Sequence, residues 1–93
     1  MSVMIEGPWE NGLHVPAGDA VISVNPVAGG WCVSGPIEED LMFRTGGHAE
    51  HQARTLGRRL AALGQTAIVE IHDRRGAIAG SVLYLAEEQV GVS

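Results

Sequence analysis

Residues 49–86 decide the fold, and they read AEHQARTLGRRLAALGQTAIVEIHDRRGAIAGSVLYLA. The apolar residues of the first half recur at spacings of 4, 3, 4 and 3, as on one side of an α-helix. They are Ala49, Ala53, Leu56, Leu60 and Leu63. Thr45 is the expected N-cap, and Gly64 is the expected left-handed stop at the C-terminal end. Gly57 flanks the apolar stripe, which indicates a close approach between the helix and a sheet.

A strand, a tight turn and a return strand follow the helix. Residues 67–72 alternate in the manner of a strand, and residues 77–86 form the expected return strand. Between them, Asp73-Arg74-Arg75-Gly76 predicts a type I turn with Gly76 in the left-handed region.

The region before the helix predicts short strands separated by turn residues. We expect strands at about residues 21–24, 31–34 and 41–44, with a further short strand at residues 3–5. Residues 1–20 otherwise look irregular, and residues 87–93 form a polar tail that we expect to fray. The resulting fold class is α+β in one domain spanning residues 1–93. It has an antiparallel sheet of four to five strands with one helix on one face, in the order β-β-(β)-α-β-β.

One helix covers only one face of a sheet, yet the strands after it are apolar on both sides. Leu83 and Leu85 alternate with Val82 and Tyr84, and Ile78 is expected on the Val82 side. We therefore expect either the N-terminal 20 residues or a second copy of the chain to cover the other face.

The composition is that of a small globular protein with a thin core. The chain has 93 residues, 45% of them hydrophobic, and four aromatic residues: Trp9, Trp31, Phe43 and Tyr84. A single cysteine, Cys32, excludes an internal disulfide and favours a reducing compartment. Neither a secretory signal nor an apolar run of about 20 residues is present, so the expected location is the cytoplasm, away from the membrane.

The charge is unevenly distributed along the chain. The net charge is −5 and there is no lysine, because all six basic residues are arginines. Residues 1–40 carry acids only, whereas residues 44–75 carry the six arginines against three acids, a balance of +3. Codon bias in a GC-rich genome explains arginine in place of lysine, and a need for bidentate contacts to carboxylate or phosphate is the alternative.

Several of these segments resemble the small bacterial DUF2188 proteins. The matching parts are Trp31-Cys32-Val33, Phe43 to Thr45, the helix residues Ala49, Ala53 and Leu60, and the run from Ile71 to Ile78. The resemblance spans about residues 30–80 and leaves out residues 1–20. It departs from the family pattern in lacking lysine in the turns and helix. The resemblance implies the same fold, but it implies no chemistry, because the function of that family is unknown.

The histidines are the only candidates for a metal site. His48 and His51 are three residues apart near the start of the helix, and His72 ends a strand. A metal site requires His72 to meet the helix start, and the alternative is that all three are solvated. Cys32 is interpreted as an inert thiol, since no base or positive neighbour is identified for it. Gly46-Gly47 precedes the helix and offers a weak anion cradle.

The arginines and the acids define the remaining candidate surfaces. Arg54, Arg58, Arg74 and Arg75 are the candidate binding residues for nucleic acid or another anion. The acidic loop Glu38-Glu39-Asp40 is a candidate contact for a basic protein partner.

No segment specifies a nucleophile–base pair, a phosphate loop or a complete metal set. We therefore expect a protein that is not an enzyme and uses no cofactor. The preferred hypothesis is an interaction module that forms a homodimer or larger homo-oligomer. The alternatives are a module that binds nucleic acid or an anion, and an acidic decoy for a protein partner.

Overall fold

A five-stranded mixed sheet carries one helix on one of its faces, in a computed structural model that describes residues 18–87. The α+β class and the order of elements predicted from the sequence are confirmed. In space the strands lie in the order β3-β2-β1-β4-β5. The elements are β1 (Ala20–Val27), β2 (Gly30–Ser34), β3 (Leu41–Phe43), α1 (Gly46–Ala62), β4 (Ala67–His72) and β5 (Ile78–Tyr84).

The first three strands form an antiparallel meander. β1 pairs with β2 around Gly29, which turns the chain at φ 81°, and Val24 lies opposite Val33. β2 pairs with the short strand β3, where Leu41 lies opposite Val33. β1 is longer than the predicted strand and includes Pro26. The strand predicted at residues 3–5 and most of the N-terminal and C-terminal segments lie outside the described residues.

The central pair of strands differs from the all-antiparallel sheet expected from the sequence. β4 runs parallel to β1, with Ile22 opposite Val69. The reason is the helix between β3 and β4, because such a crossover lets a strand join a neighbour in parallel. β4 consequently lies between β1 and β5 and has a paired strand along each of its edges.

The core lies between α1 and one face of the sheet. Its largest fully buried side chains are Ile22, Val24, Val33, Leu56, Leu60 and Val69. Gly57 is buried in the contact with the sheet, as expected from its place beside the apolar stripe. A Cβ atom at Gly57 would lie 2.7 Å from Cδ2 of Tyr84 and 3.3 Å from Cγ2 of Val69. The missing side chain thus allows the helix to approach β4 and β5 closely.

The helix is capped as predicted, but Leu63, the last residue of the predicted apolar stripe, lies just after the helix and is 43% exposed. The Thr45 hydroxyl accepts a hydrogen bond from the His48 N–H (3.2 Å), which caps the first turn. Gly64 has φ 91° directly after the C-cap residue Leu63. Among residues 18–87, no helix combines the length and the apolar character needed to cross a membrane.

The turn between β4 and β5 also follows the prediction. The Gly76 N–H donates to the Asp73 carbonyl (3.0 Å), and Gly76 has φ 85°. The Asp73 carboxylate fixes the turn further, because its Oδ1 accepts from the N–H groups of Arg75 (2.8 Å) and Ala77 (3.0 Å).

A β-bulge corrects the predicted face of Ile78. Ile71 lies opposite Gly80, but the next β4 residue, His72, lies opposite Ile78. Ala79 is therefore the extra residue, and it shifts the alternation of β5 by one position. Ile78 consequently lies on the same face as His72 and Leu83, and not on the face of Val82 and Tyr84.

Candidate interaction surface

One face of the sheet lacks a covering element among residues 18–87, and we call it the open face. It consists of the strand side chains that alternate with those of the core. Its members are Val21, Ser23, Asn25, Val27, Cys32, Ser34, Met42, Ile68, Glu70, His72, Ile78, Ser81 and Leu83.

The open face gathers most of the exposed apolar side chains of the described chain. Val21, Ile68 and Leu83 lie opposite one another on β1, β4 and β5 and form an apolar row across the sheet. Leu83 is 58% exposed, and Leu85, two residues further along, is 69% exposed. Ile78 on β5 (55%) and Met42 on β3 (62%) are exposed on the same face. Most of these exposed side chains belong to β5 and the residues directly after it, so the apolar character is greatest there.

A row of polar side chains crosses the middle of the open face. Ser34, Ser23, Glu70 and Ser81 lie opposite one another on β2, β1, β4 and β5. Nε2 of His72 lies 3.5 Å from Oε1 of Glu70, and both side chains are partly buried. The sequence did not predict this row, because Ser23 and Glu70 become neighbours only through the parallel pairing of β1 with β4. The alternation of Ile68, Glu70 and His72 was the signal for its β4 part alone.

Cys32 lies on the open face beside an acid. Burial raises the pKa of the Cys32 thiol, and the Asp40 carboxylate raises it further through its negative charge and a hydrogen bond with the thiol. The neutral thiol is therefore the stable form at neutral pH. A group of this kind is a poor nucleophile, which agrees with its interpretation as an inert cysteine.

The four candidate arginines are spaced along the length of the molecule. Arg74 and Arg75 occupy exposed positions in the turn at the carboxyl end of β4. α1 starts at this same end of the sheet, since it follows β3, which runs parallel to β4. Arg54 and Arg58 then lie about 12 and 18 Å along the helix from its start. Nη2 of Arg54 lies 3.6 Å from Oε1 of Glu50, so part of its charge is compensated on the helix itself.

The candidate acidic loop lies at the other end of the sheet. Glu38, Glu39 and Asp40 precede β3, whereas the turn arginines follow β4. The acidic loop and the turn arginines therefore face opposite ends of the molecule.

The three candidate histidines are not brought together. His48 and His51 are exposed on α1, which covers the core face of the sheet. His72 lies at the same end of the sheet but on the open face, beside Glu70. Within residues 18–87, no three His, Cys, Asp or Glu side chains are placed to hold one metal ion.

Comparison of the chain with protein-family models, with curated proteins and with solved structures finds no match. The resemblance to the DUF2188 proteins therefore stays a prediction from the sequence.

Proposed function

We propose that this protein is a non-enzymatic interaction module that self-associates through the β5 side of its sheet, by the open face or by the edge of the strand. The observation that carries the proposal is the exposure of Ile78, Leu83 and Leu85 together, next to a row that continues through Ile68 to Val21. Grouped apolar surface of this kind is a marker of protein–protein contact in small soluble domains.

The chemistry of the open face supports binding rather than catalysis. Its polar row lies on a sheet surface, and the Cys32 thiol is held neutral by its surroundings. Serines next to Glu70 and the Glu70–His72 pair suit hydrogen bonds at an interface, where polar groups commonly accompany an apolar core.

Light scattering coupled to size-exclusion chromatography tests the proposal. At tens of micromolar, we expect a mass of about twice the 9.8 kDa of the chain. Leu83→Asp should shift the protein to the monomer, because it places a charge in the apolar contact. Met42→Asp is the matched control, since Met42 is similarly exposed (62% against 58%) on the same face but at the opposite edge of the sheet. A wild-type monomer would rule the proposal out.

The exposed turn arginines support a second proposal, binding of nucleic acid or another anion. Arg74 and Arg75 are neighbours in the exposed turn, and Arg54 and Arg58 are exposed on α1. Binding should then be salt-dependent and should weaken when Arg74 and Arg75 are both changed to alanine. Absence of any shift with single-stranded or duplex nucleic acid at about 50 mM salt would count against it.

The acidic loop at residues 38–40 supports the remaining alternative, a basic protein partner. A pull-down with the wild-type protein and with a variant that lacks the three acids would test it.

A further inference from the structure

The outer edge of β5 is unpaired among residues 18–87, because β5 is the last strand of the sheet. The Ala20 N–H donates to the Thr66 carbonyl (2.9 Å), so the backbone groups of Thr66 point at β1. Successive residues of a strand direct their N–H and C=O groups to opposite sides, so the even-numbered residues of β4 point theirs at β1 and the odd-numbered residues point theirs at β5. Ser81 and Leu83 lie opposite even-numbered residues of β4. Their N–H and C=O groups therefore point away from the sheet and are available to another strand.

The side chains of β5 do not protect this edge. The strand reads IAGSVLY and contains neither a charged residue nor a proline, two of the means by which proteins block edge pairing. The other edge strand, β3, has only three residues and offers little to pair with. The bulge at Ala79 distorts the start of β5, which leaves the later part, from Gly80 onwards, as the regular edge.

We infer that the edge of β5 pairs antiparallel with β5 of a second copy, with Leu83 opposite the partner's Leu83, to give a continuous ten-stranded sheet. This inference rests on the proposed self-association and assigns it to the backbone edge of β5, with a defined register. A row of unpaired backbone donors and acceptors is matched by a β-strand, and a copy of the same edge supplies one.

Symmetry restricts the register. A two-fold axis perpendicular to the sheet keeps each side chain on its own face. Each residue of β5 must therefore lie opposite a partner residue whose side chain is on the same face of the sheet. Centring the axis on Leu83 satisfies this rule and continues the apolar row of Val21, Ile68 and Leu83 into the partner's row. It also pairs Ser81 with the partner's Leu85. Centring it on Val82 would set Leu83 against the partner's Ser81 and interrupt the row.

Pairing of β5 with itself also closes the assembly. The same edge is used by both copies, so no free β5 edge remains after two chains have joined. Pairing of β5 with a partner's β3 would leave a free edge at each end and would build an open fibre. Because β3 has only three residues and β5 has seven, pairing of β5 with β5 offers more backbone hydrogen bonds than pairing of β5 with β3. A closed dimer is therefore favoured over a fibre.

Disulfide trapping tests the register. In a Cys32→Ser background, Leu83→Cys should form a covalent dimer under mild oxidation, because Cα atoms of a hydrogen-bonded antiparallel pair are about 5.5 Å apart, within disulfide range. Ile68→Cys is the matched control on the same row. Ile68 lies one strand inward, so two copies would be separated by three strand spacings, about 14 Å, and should not react.

The outcomes separate this inference from the proposed function. A covalent dimer with Leu83→Cys alone supports the register. A protein that is dimeric by light scattering but gives no Leu83→Cys dimer, or reacts equally with Ile68→Cys, overturns edge pairing and leaves self-association standing. A monomeric wild-type protein overturns both.

A second variant tests the backbone contact without a new thiol. Ser81→Pro removes an N–H group that points outward and should shift the protein to the monomer, whereas Ser81→Ala should leave the dimer intact. Circular dichroism of both variants confirms that the fold is kept. Equal dimer fractions for folded Ser81→Pro and Ser81→Ala would contradict a hydrogen-bonded seam along β5.

Discussion

Gly76 closes the turn between β4 and β5 at φ 85°, a region in which β-branched residues are strained. A Cβ atom at this position would meet nothing within 4 Å, so the cost of a side chain is purely conformational. We expect Gly76→Val to lower the free energy of unfolding by about 1–3 kcal/mol, measured by urea denaturation.

Gly80→Val is the matched control for that prediction. A Cβ atom at Gly80 would also meet nothing within 4 Å, but the φ of Gly80 is not positive. Valine suits a strand, so Gly80→Val should leave stability unchanged or raise it slightly. Equal losses at both positions would show that Gly76 is needed for something other than its backbone conformation.

The Cys32 thiol gives a prediction in reactivity and in pH. Its pKa is raised by burial and by Asp40, so alkylation by iodoacetamide at pH 8 should be slow. Asp40→Asn removes the negative charge and should speed alkylation, whereas Glu39→Gln should not.

The raised pKa of Cys32 also means that the folded chain holds this proton more tightly than the unfolded chain. The contribution of this thiol to the free energy of unfolding is therefore fully present below about pH 8.5, the pKa of a cysteine in an unfolded chain. It is lost as pH rises through the higher pKa of the folded chain.

At the scale of elements, α1 and the sheet meet where Gly57 has no side chain. Alanine there would gain about 1 kcal/mol of helix propensity, but its Cβ would lie 2.7 and 2.9 Å from the ring of Tyr84. Overpacking of a rigid ring against the helix costs about 1–3 kcal/mol, so we expect Gly57→Ala to be destabilising overall.

Gly47→Ala provides the comparison within the same helix. Gly47 is exposed and a Cβ atom there would meet nothing within 4 Å, so this change should stabilise the protein. Thermal unfolding of the two variants should therefore move in opposite directions. A combined Gly57→Ala and Tyr84→Ala variant should show coupling between the two sites; simple additivity would mean that the Tyr84 ring is not the obstacle.

The elements with local signals were predictable from the sequence. The spacing from Ala49 to Leu63 predicts α1, and Thr45 and Gly64 predict its ends. The turn at Asp73 and Gly76 is equally local, because the hydrogen bonds that define it join residues three or four positions apart. The parallel contact of β1 with β4 was not predictable in this way. It joins residues such as Ile22 and Val69, whose pairing depends on where the helix returns the chain.

At the scale of the whole molecule, part of the candidate surface was predictable from local patterns and part depended on how the strands pair. Apolar residues on both sides of the strands after the helix predicted a second apolar face, and the exposed Leu83 lies on it. The polar row through Ser23 and Glu70 depends on the order of strands, and the face of Ile78 depends on a bulge. Patterns of alternation assign residues to two faces, but only the pairing says which of them become neighbours.

Self-association should be visible in the stability of the whole protein as well as in its mass. Association of folded chains stabilises the folded state by mass action, so the melting temperature of the wild-type protein should rise with protein concentration. For a domain of this size, a hundredfold increase should raise the melting temperature by on the order of 5 °C. Leu83→Asp should melt at a temperature independent of concentration, because the charge removes the contact and leaves the core untouched. Met42→Asp should keep the wild-type dependence, since it lies at the other edge of the sheet. A wild-type melting temperature that does not change over this range would mean that folded chains do not associate, and the open face would then have to serve a different partner.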